Sequence, residues 1–185
     1  MEKRIEKSKF HLGDIVCLRS ASSGKEEKIP HLVVLEAVKE HLNDNTERIK
    51  YRCMWFTRSK KWEFKETWLF ENQLVLSQSN NSKTEIELND VVFLKTKCKE
   101  PTWIEGNPPT EKVSAYYPPS MTVLGFETVK NFPPIFDNQS NVMREISEIL
   151  VKCLYYNPIA NKFSEILLPL ESLAKGILCP MKSGI

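Results

Sequence analysis

The sequence predicts an all-β protein built as two small antiparallel barrels or bent sheets in tandem, the second with a loop-rich insertion. Three observations lead there. The opening stretch LGDIVCLRS at residues 12–20 returns as LNDVVFLKT at residues 88–96. A longer segment, IKYRCMWFTRSKKWEFKETWLFENQL at 49–74, aligns with ILVKCLYYNPIANKFSEILLPLESL at 149–173 with a single gap in the turn. Within these segments the apolar residues recur at every second position, which is the period of a strand and not of a helix.

Each element of the repeat can be justified in order. Gly13-Asp14 and Asn89-Asp90 each precede a β-branched run, and glycine or asparagine before aspartate suits a tight turn that needs an unusual backbone angle. Ile49, Tyr51, Cys53 and Trp55 then alternate on one face of a strand, as do Ile149, Val151, Cys153 and Tyr155 in the second copy. Cys53 aligns with Cys153, Phe56 with Tyr156, Phe64 with Phe163, Leu69 with Leu168 and Leu74 with Leu173. The two cysteines are expected in the core, because a buried free thiol behaves as a small apolar residue. TRSKK and NPIANK have the polar, Pro and Asn content of hairpin loops, and a second strand follows each. Short strand, connection, strand, hairpin, strand is the plan of an SH3-like antiparallel barrel or bent sheet.

Between the copies SQSNNSKTE is polar and aperiodic, as a linker is. The expected organisation is a first SH3-like repeat at 1–76, a polar linker at 77–85 and a second repeat at 86–185 whose insertion spans 97–148. That insertion is rich in Pro and Asn, yet it also carries Trp103, Tyr116, Tyr117, Phe132 and Phe136. Rigid aromatics bury much area at little entropic cost, so these residues are expected either to contact a protein partner or to cover the open end of the second barrel.

The repeated residues resemble a family, the small bacterial proteins of the YodC-like group. Phe10, Gly13, Asp14, Val16, Leu18 and Ser20 match its opening, Cys53, Trp55 and Phe56 its C-x-W-F strand, and Met121, Thr122 and Val123 its Met-Thr-Val strand. The first copy has HLVVLEAV where the Met-Thr-Val strand should stand, and the second has Tyr155-Tyr156 for Trp-Phe and Asn89 for the glycine. The resemblance implies a small barrel in a bacterial protein. The chain also resembles accessory proteins found beside bacterial RNA-guided defence systems, although no motif carries that likeness.

Composition bounds the function. Hydrophobic residues make up 41% and charged residues 27%, with a net charge of +2, so the chain folds without the global field of a polybasic protein. The N-terminal MEKRIEKSKF is charged with no apolar run behind it, which predicts neither a secretory signal nor a membrane anchor. Five widely spaced cysteines without a C-x-x-C pair suggest reduced thiols in a cytoplasm, and no zinc site.

Catalytic signatures do not emerge. His11, His31 and His41 match no metal-ligand spacing, and there is no P-loop, G-x-S-x-G or G-x-G-x-x-G. Asp14 and Asp90 occupy equivalent positions and are expected to accept backbone N–H groups in their turns. No catalytic residue, cofactor or metal is therefore assigned. Arg58, Lys60, Lys61 and Trp62 crowd one predicted hairpin tip, where cations could hold phosphates while the indole stacks on a base; the alternative is a solvated hairpin with Trp62 folded inward. Only the first copy leans basic, with 15 basic and 12 acidic residues up to Asn80 against 11 and 12 beyond it. The expected function is a non-enzymatic bacterial adaptor or regulatory protein that binds a protein partner, an accessory of a larger defence or regulatory complex, with nucleic-acid binding through the first copy as the alternative.

Overall fold

The computed structural model describes residues 5–19, 31–41, 46–57, 62–80, 85–96, 98–104, 110–116, 118–129, 135–137 and 141–176. Every regular element among them is a strand or a short 3-10 turn. The first half holds β1 (Ile15–Leu18), β2 (Leu32–His41), β3 (Glu47–Thr57), β4 (Glu63–Phe70) and β5 (Leu74–Gln78). The second holds β6 (Val91–Leu94), β7 (Cys98–Ile104), β8 (Thr110–Tyr116), β9 (Met121–Thr128), β10 (Arg144–Ile146), β11 (Ile149–Asn157), β12 (Lys162–Pro169) and β13 (Leu173–Lys175). They form two open antiparallel sheets with the orders β4-β3-β2-β1-β5 and β12-β11-β9-β6-β13, plus a separate β7-β8 ribbon. The all-β expectation holds, as bent sheets and not as closed barrels.

The two strand orders are the same once β7, β8 and β10 are set aside, and the likeness extends to individual hydrogen bonds. The Asp14 carboxylate accepts the His11 N–H at 2.8 Å, and Asp90 accepts the Glu87 N–H at 2.7 Å. The Gly13 N–H donates to Val34 O at 2.8 Å, as the Asn89 N–H does to Val123 O at 3.0 Å. Both residues have positive φ, +80° at Gly13 and +69° at Asn89, which glycine adopts freely and asparagine tolerates. Gly13 is doubly constrained, since a Cβ there would lie 2.3 Å from Glu171 O. Each sheet also carries a bulge at the matching place: Leu35 interrupts the β2-β3 register beside Cys53, and Leu124 the β9-β11 register beside Cys153. A bulge strengthens local twist, which bends both sheets alike.

Two hydrophobic cores result. The first gathers Ile5, Phe10, Val16, Val34, Tyr51, Cys53 and Leu74, with Val142 from the second half packed against it. The second gathers Val92, Leu94, Met121, Val123, Val151, Cys153, Leu168 and Leu173, and is completed by Val33, Leu35 and Met54 of the first half. Strand alternation explains the arrangement: Val34 and Cys53 face the first core, while Val33 and Met54, paired across β2 and β3, face the second. The first sheet is thus apolar on both faces and sandwiched. β10 adds to this by pairing with β2, with Arg144, Glu145 and Ile146 opposite Val38, Ala37 and Glu36. At the boundary read as a linker, Gln78 still belongs to β5, and the Asn80 N–H donates to Asp14 Oδ1 at 2.7 Å.

Candidate functional site

Polar side chains inside the fold mostly tie the two halves together. Glu36 is buried on β2, with Arg144 Nε 2.5 Å from Oε1 and Arg52 Nε 3.0 Å from Oε2. The Arg52 approach is close enough for charge attraction but off the line of a hydrogen bond, and its Nη1 reaches Glu66 at 3.1 Å. Buried Glu145 lies with Oε2 3.5 Å from His11 Nδ1 and accepts the Leu12 N–H through Oε1 at 3.3 Å. Lys95 Nζ donates to Asn80 Oδ1 at 2.8 Å and Glu171 O at 3.0 Å, and desolvation lowers its pKa. The Tyr51 hydroxyl sits 2.8 Å from both Ser8 Oγ and Glu71 Oε2, and burial raises its pKa. Cys53 and Cys153 are fully buried, and desolvation pushes both thiols up to about 12, which removes them as nucleophiles.

The residues read as a partner site are dispersed. Trp103 pairs with Glu111 and Tyr116 with Cys98 on the β7-β8 ribbon, at register positions of opposite parity. Phe136 forms an isolated bridge with Val142 and is 43% exposed. The neighbouring Asp137 carboxylate accepts the Asn141 N–H at 2.8 Å. Tyr117 and Phe132 lie outside the described residues, as do Arg58, Lys60 and Lys61 of the predicted basic tip. Trp62 is half-buried and meets Phe56 edge to face at 5.6 Å, so its indole is turned toward the body of the protein. Its carbonyl accepts the Asn157 amide N–H at 3.0 Å. Among the described residues no group of three or more His, Cys, Asp or Glu is arranged to hold a metal, and no helix is long and apolar enough to cross a membrane.

Two surfaces were not singled out from the sequence. On the outward face of β3 and β4, Lys50 Nζ stands 5.0 Å from the Trp68 ring centre and the Arg48 guanidinium 5.9 Å from that of Phe70. On the outward face of β11 and β12, Tyr156 and Phe163 are register partners with rings 5.4 Å apart, and Leu167 stands opposite Lys152. The signal for both was present: Arg48 and Lys50, and Leu154 and Tyr156, occupy the strand parity opposite to the core residues.

These features define an all-β protein of two open antiparallel sheets that share an interface. Compared with protein-family models, curated proteins and solved structures, the chain matches none of them.

Proposed function

We propose that the protein is a non-enzymatic adaptor of the bacterial cytoplasm, an accessory of a larger defence or regulatory complex, that recognises a protein partner through the insertion of its second half. One observation supports this above the others: β7 and β8 pair with each other and, among the described residues, with neither large sheet. A lone two-stranded ribbon is marginally stable in water and gains from a surface to lie against. Trp103 and Tyr116 are on this ribbon, and exposed Phe136 sits on a loop joined through Val142 to the first core. Aromatic residues are the usual anchors of an interface.

The test is to recover the complex with the tagged full chain and reconstitute it from purified components. Calorimetry then compares the parent with a Trp103→Ala/Phe136→Ala variant. A loss of affinity of at least about tenfold, or about 1.4 kcal/mol, with an unchanged melting midpoint supports the reading. Equal affinity refutes it.

A second reading, nucleic-acid binding by the first half, is favoured by the cation–aromatic face of β3 and β4. Exposed rings with Arg48 and Lys50 beside them bring together the two elements, aromatic platforms and positive charge, that single-strand binders use. Fluorescence anisotropy with labelled single-stranded DNA and RNA decides it: binding through phosphates gives a log–log salt slope of about −0.7 per contact, whereas flat traces at low salt remove the reading.

A further inference from the structure

The two sheets present equivalent outward faces but use them unequally. On the first, Val33, Leu35, Met54 and Phe56 are buried, and Phe64 meets Tyr155 of the second half edge to face at 5.4 Å. The Val33–Phe64 end of that face is already a sheet-to-sheet interface, while its other end carries exposed Trp68 and Phe70. Strand order and register place Thr122, Leu124, Leu154, Tyr156 and Phe163 at the matching positions of the second sheet. There Phe163 is 68% exposed, Tyr156 and neighbouring Leu167 are 44% exposed, and Leu124 is 39% exposed. An exposed apolar face of this kind, crossed by a single charged pair, marks an interaction site on a folded protein.

We propose that this face docks a second copy of the same chain, sheet against sheet across a two-fold axis. Equivalence of position is the first argument, because the matching surface of the first half already packs against a sheet of this protein. The second is charge. Lys152 and Glu165 lie on the patch, 2.7 Å apart, so a two-fold pairing sets Lys152 of each copy against Glu165 of the other. The third decides between modes of self-association. Head-to-tail stacking, which would repeat the internal arrangement, needs an open core face on the first half of the next molecule. Ile5, Phe10 and Val142 already close that face, which leaves the symmetric mode.

Three strands spaced about 4.8 Å apart and about eight residues long give a footprint of about 400 Å². That is about half the usual contribution of one partner to a stable interface, so the dimer is weak, with dissociation in the micromolar range.

Sedimentation equilibrium of the full chain from about 5 to about 500 micromolar tests this, spanning the range in which such a dimer forms and dissociates. A monomer–dimer equilibrium is expected. Phe163→Ser should weaken it at least about tenfold. Lys152→Glu should also weaken it, and adding Glu165→Lys should restore it, which provides a charge-only test independent of any folding defect in the Phe163 variant. A monomer at every concentration overturns the proposal and leaves the face to residues 177–185 or to a different protein. A dimer indifferent to all three variants, or assembly beyond the dimer, overturns it as well. Trp103 belongs to none of the three strands of this face, and Trp103→Ala is expected to leave the dimer intact, so failure here and failure of the adaptor reading are separable.

Discussion

Replacing Glu36 by Gln removes one charge from a buried site while keeping its volume. The Glu36 side chain is 4% exposed and faces two guanidinium groups, Arg144 at 2.5 Å and Arg52 at 3.0 Å. Breaking a buried ion pair by deleting one partner costs about 3–5 kcal/mol, because the other charge is left uncompensated. Here the arginines retain some water, being 21% and 33% exposed, and Arg52 keeps Glu66 at 3.1 Å. The cost is therefore set below that range, at about 2 kcal/mol, which for a chain of this size lowers the melting midpoint by about 4–8 °C. The loss is also local. Because Arg144 lies on β10, hydrogen exchange should accelerate at the Lys39 amide, which donates to Met143 O at 2.8 Å, while the Val123 amide, bonded to Asp90 O at 3.0 Å, keeps its protection until global unfolding. Calorimetry and exchange mass spectrometry read both effects. A midpoint within about 1 °C of the parent with unchanged Lys39 exchange would refute the assignment of this triad as the clamp between the halves.

Three further outcomes follow from single positions. Gly13→Ala should destabilise by about 3 kcal/mol or more, from positive φ and a Cβ 2.3 Å from Glu171 O, whereas Asn89→Gly at the equivalent turn should be nearly neutral; thermal melts of the two variants compare them. In a variant whose only cysteines are Cys53 and Cys153, both thiols pushed up to about 12 by burial, Ellman's reagent at about pH 8 should react no faster than the protein unfolds, and rapid labelling of the native state would contradict this. Asp90 is held below its ordinary value by the Lys175 ammonium and then by the Glu87 N–H, so its contribution is present above the unfolded carboxylate pKa of about 3.9 and is lost as pH falls through the lower folded value. Asp90→Asn should flatten that part of the acid limb of the melting midpoint, and an unaltered limb would count against it.

Local chemistry made parts of this fold legible. The turns at Gly13-Asp14 and Asn89-Asp90 announce themselves because their geometry depends on residues within four positions. Alternation was enough to place Cys53 and Cys153 in cores, and the aligned hairpins of β3-β4 and β11-β12 pair as read. The partner of β10 was not legible. Three residues carry no period, and their contact with β2 joins Arg144 to Glu36 across 108 positions, an ion pair that only the folded chain brings together. The outward faces were missed for a different reason. Met54 and Phe56, and likewise Leu154 and Tyr156, make their strands apolar on both parities, which is the mark of a strand with two apolar faces. One parity of each strand carries the core residues, and the other carries the outward face. Nor does residue type distinguish buried Phe56 from Tyr156, 44% exposed at the matching position, since both are equally good apolar residues.

The asymmetry bears on how a partner bound at the insertion would be felt. The first half cannot complete its surroundings alone: Val142 packs on its core, Glu145 meets His11, and Arg144 meets Glu36. The second half cannot complete its own core without Val33, Leu35 and Met54. Phe136 is joined by backbone pairing to Val142, only two residues before Arg144, and the Met143 N–H donates to Ile135 O at 2.7 Å. A load placed on Phe136 therefore reaches β10 through the main chain and β2 through the arginine clamp. β2 is the strand that sends Val34 into one core and Val33 and Leu35 into the other. A partner docked at the proposed site would thus act on the strand shared by both cores, so the two halves would respond together and not as two modules on a tether.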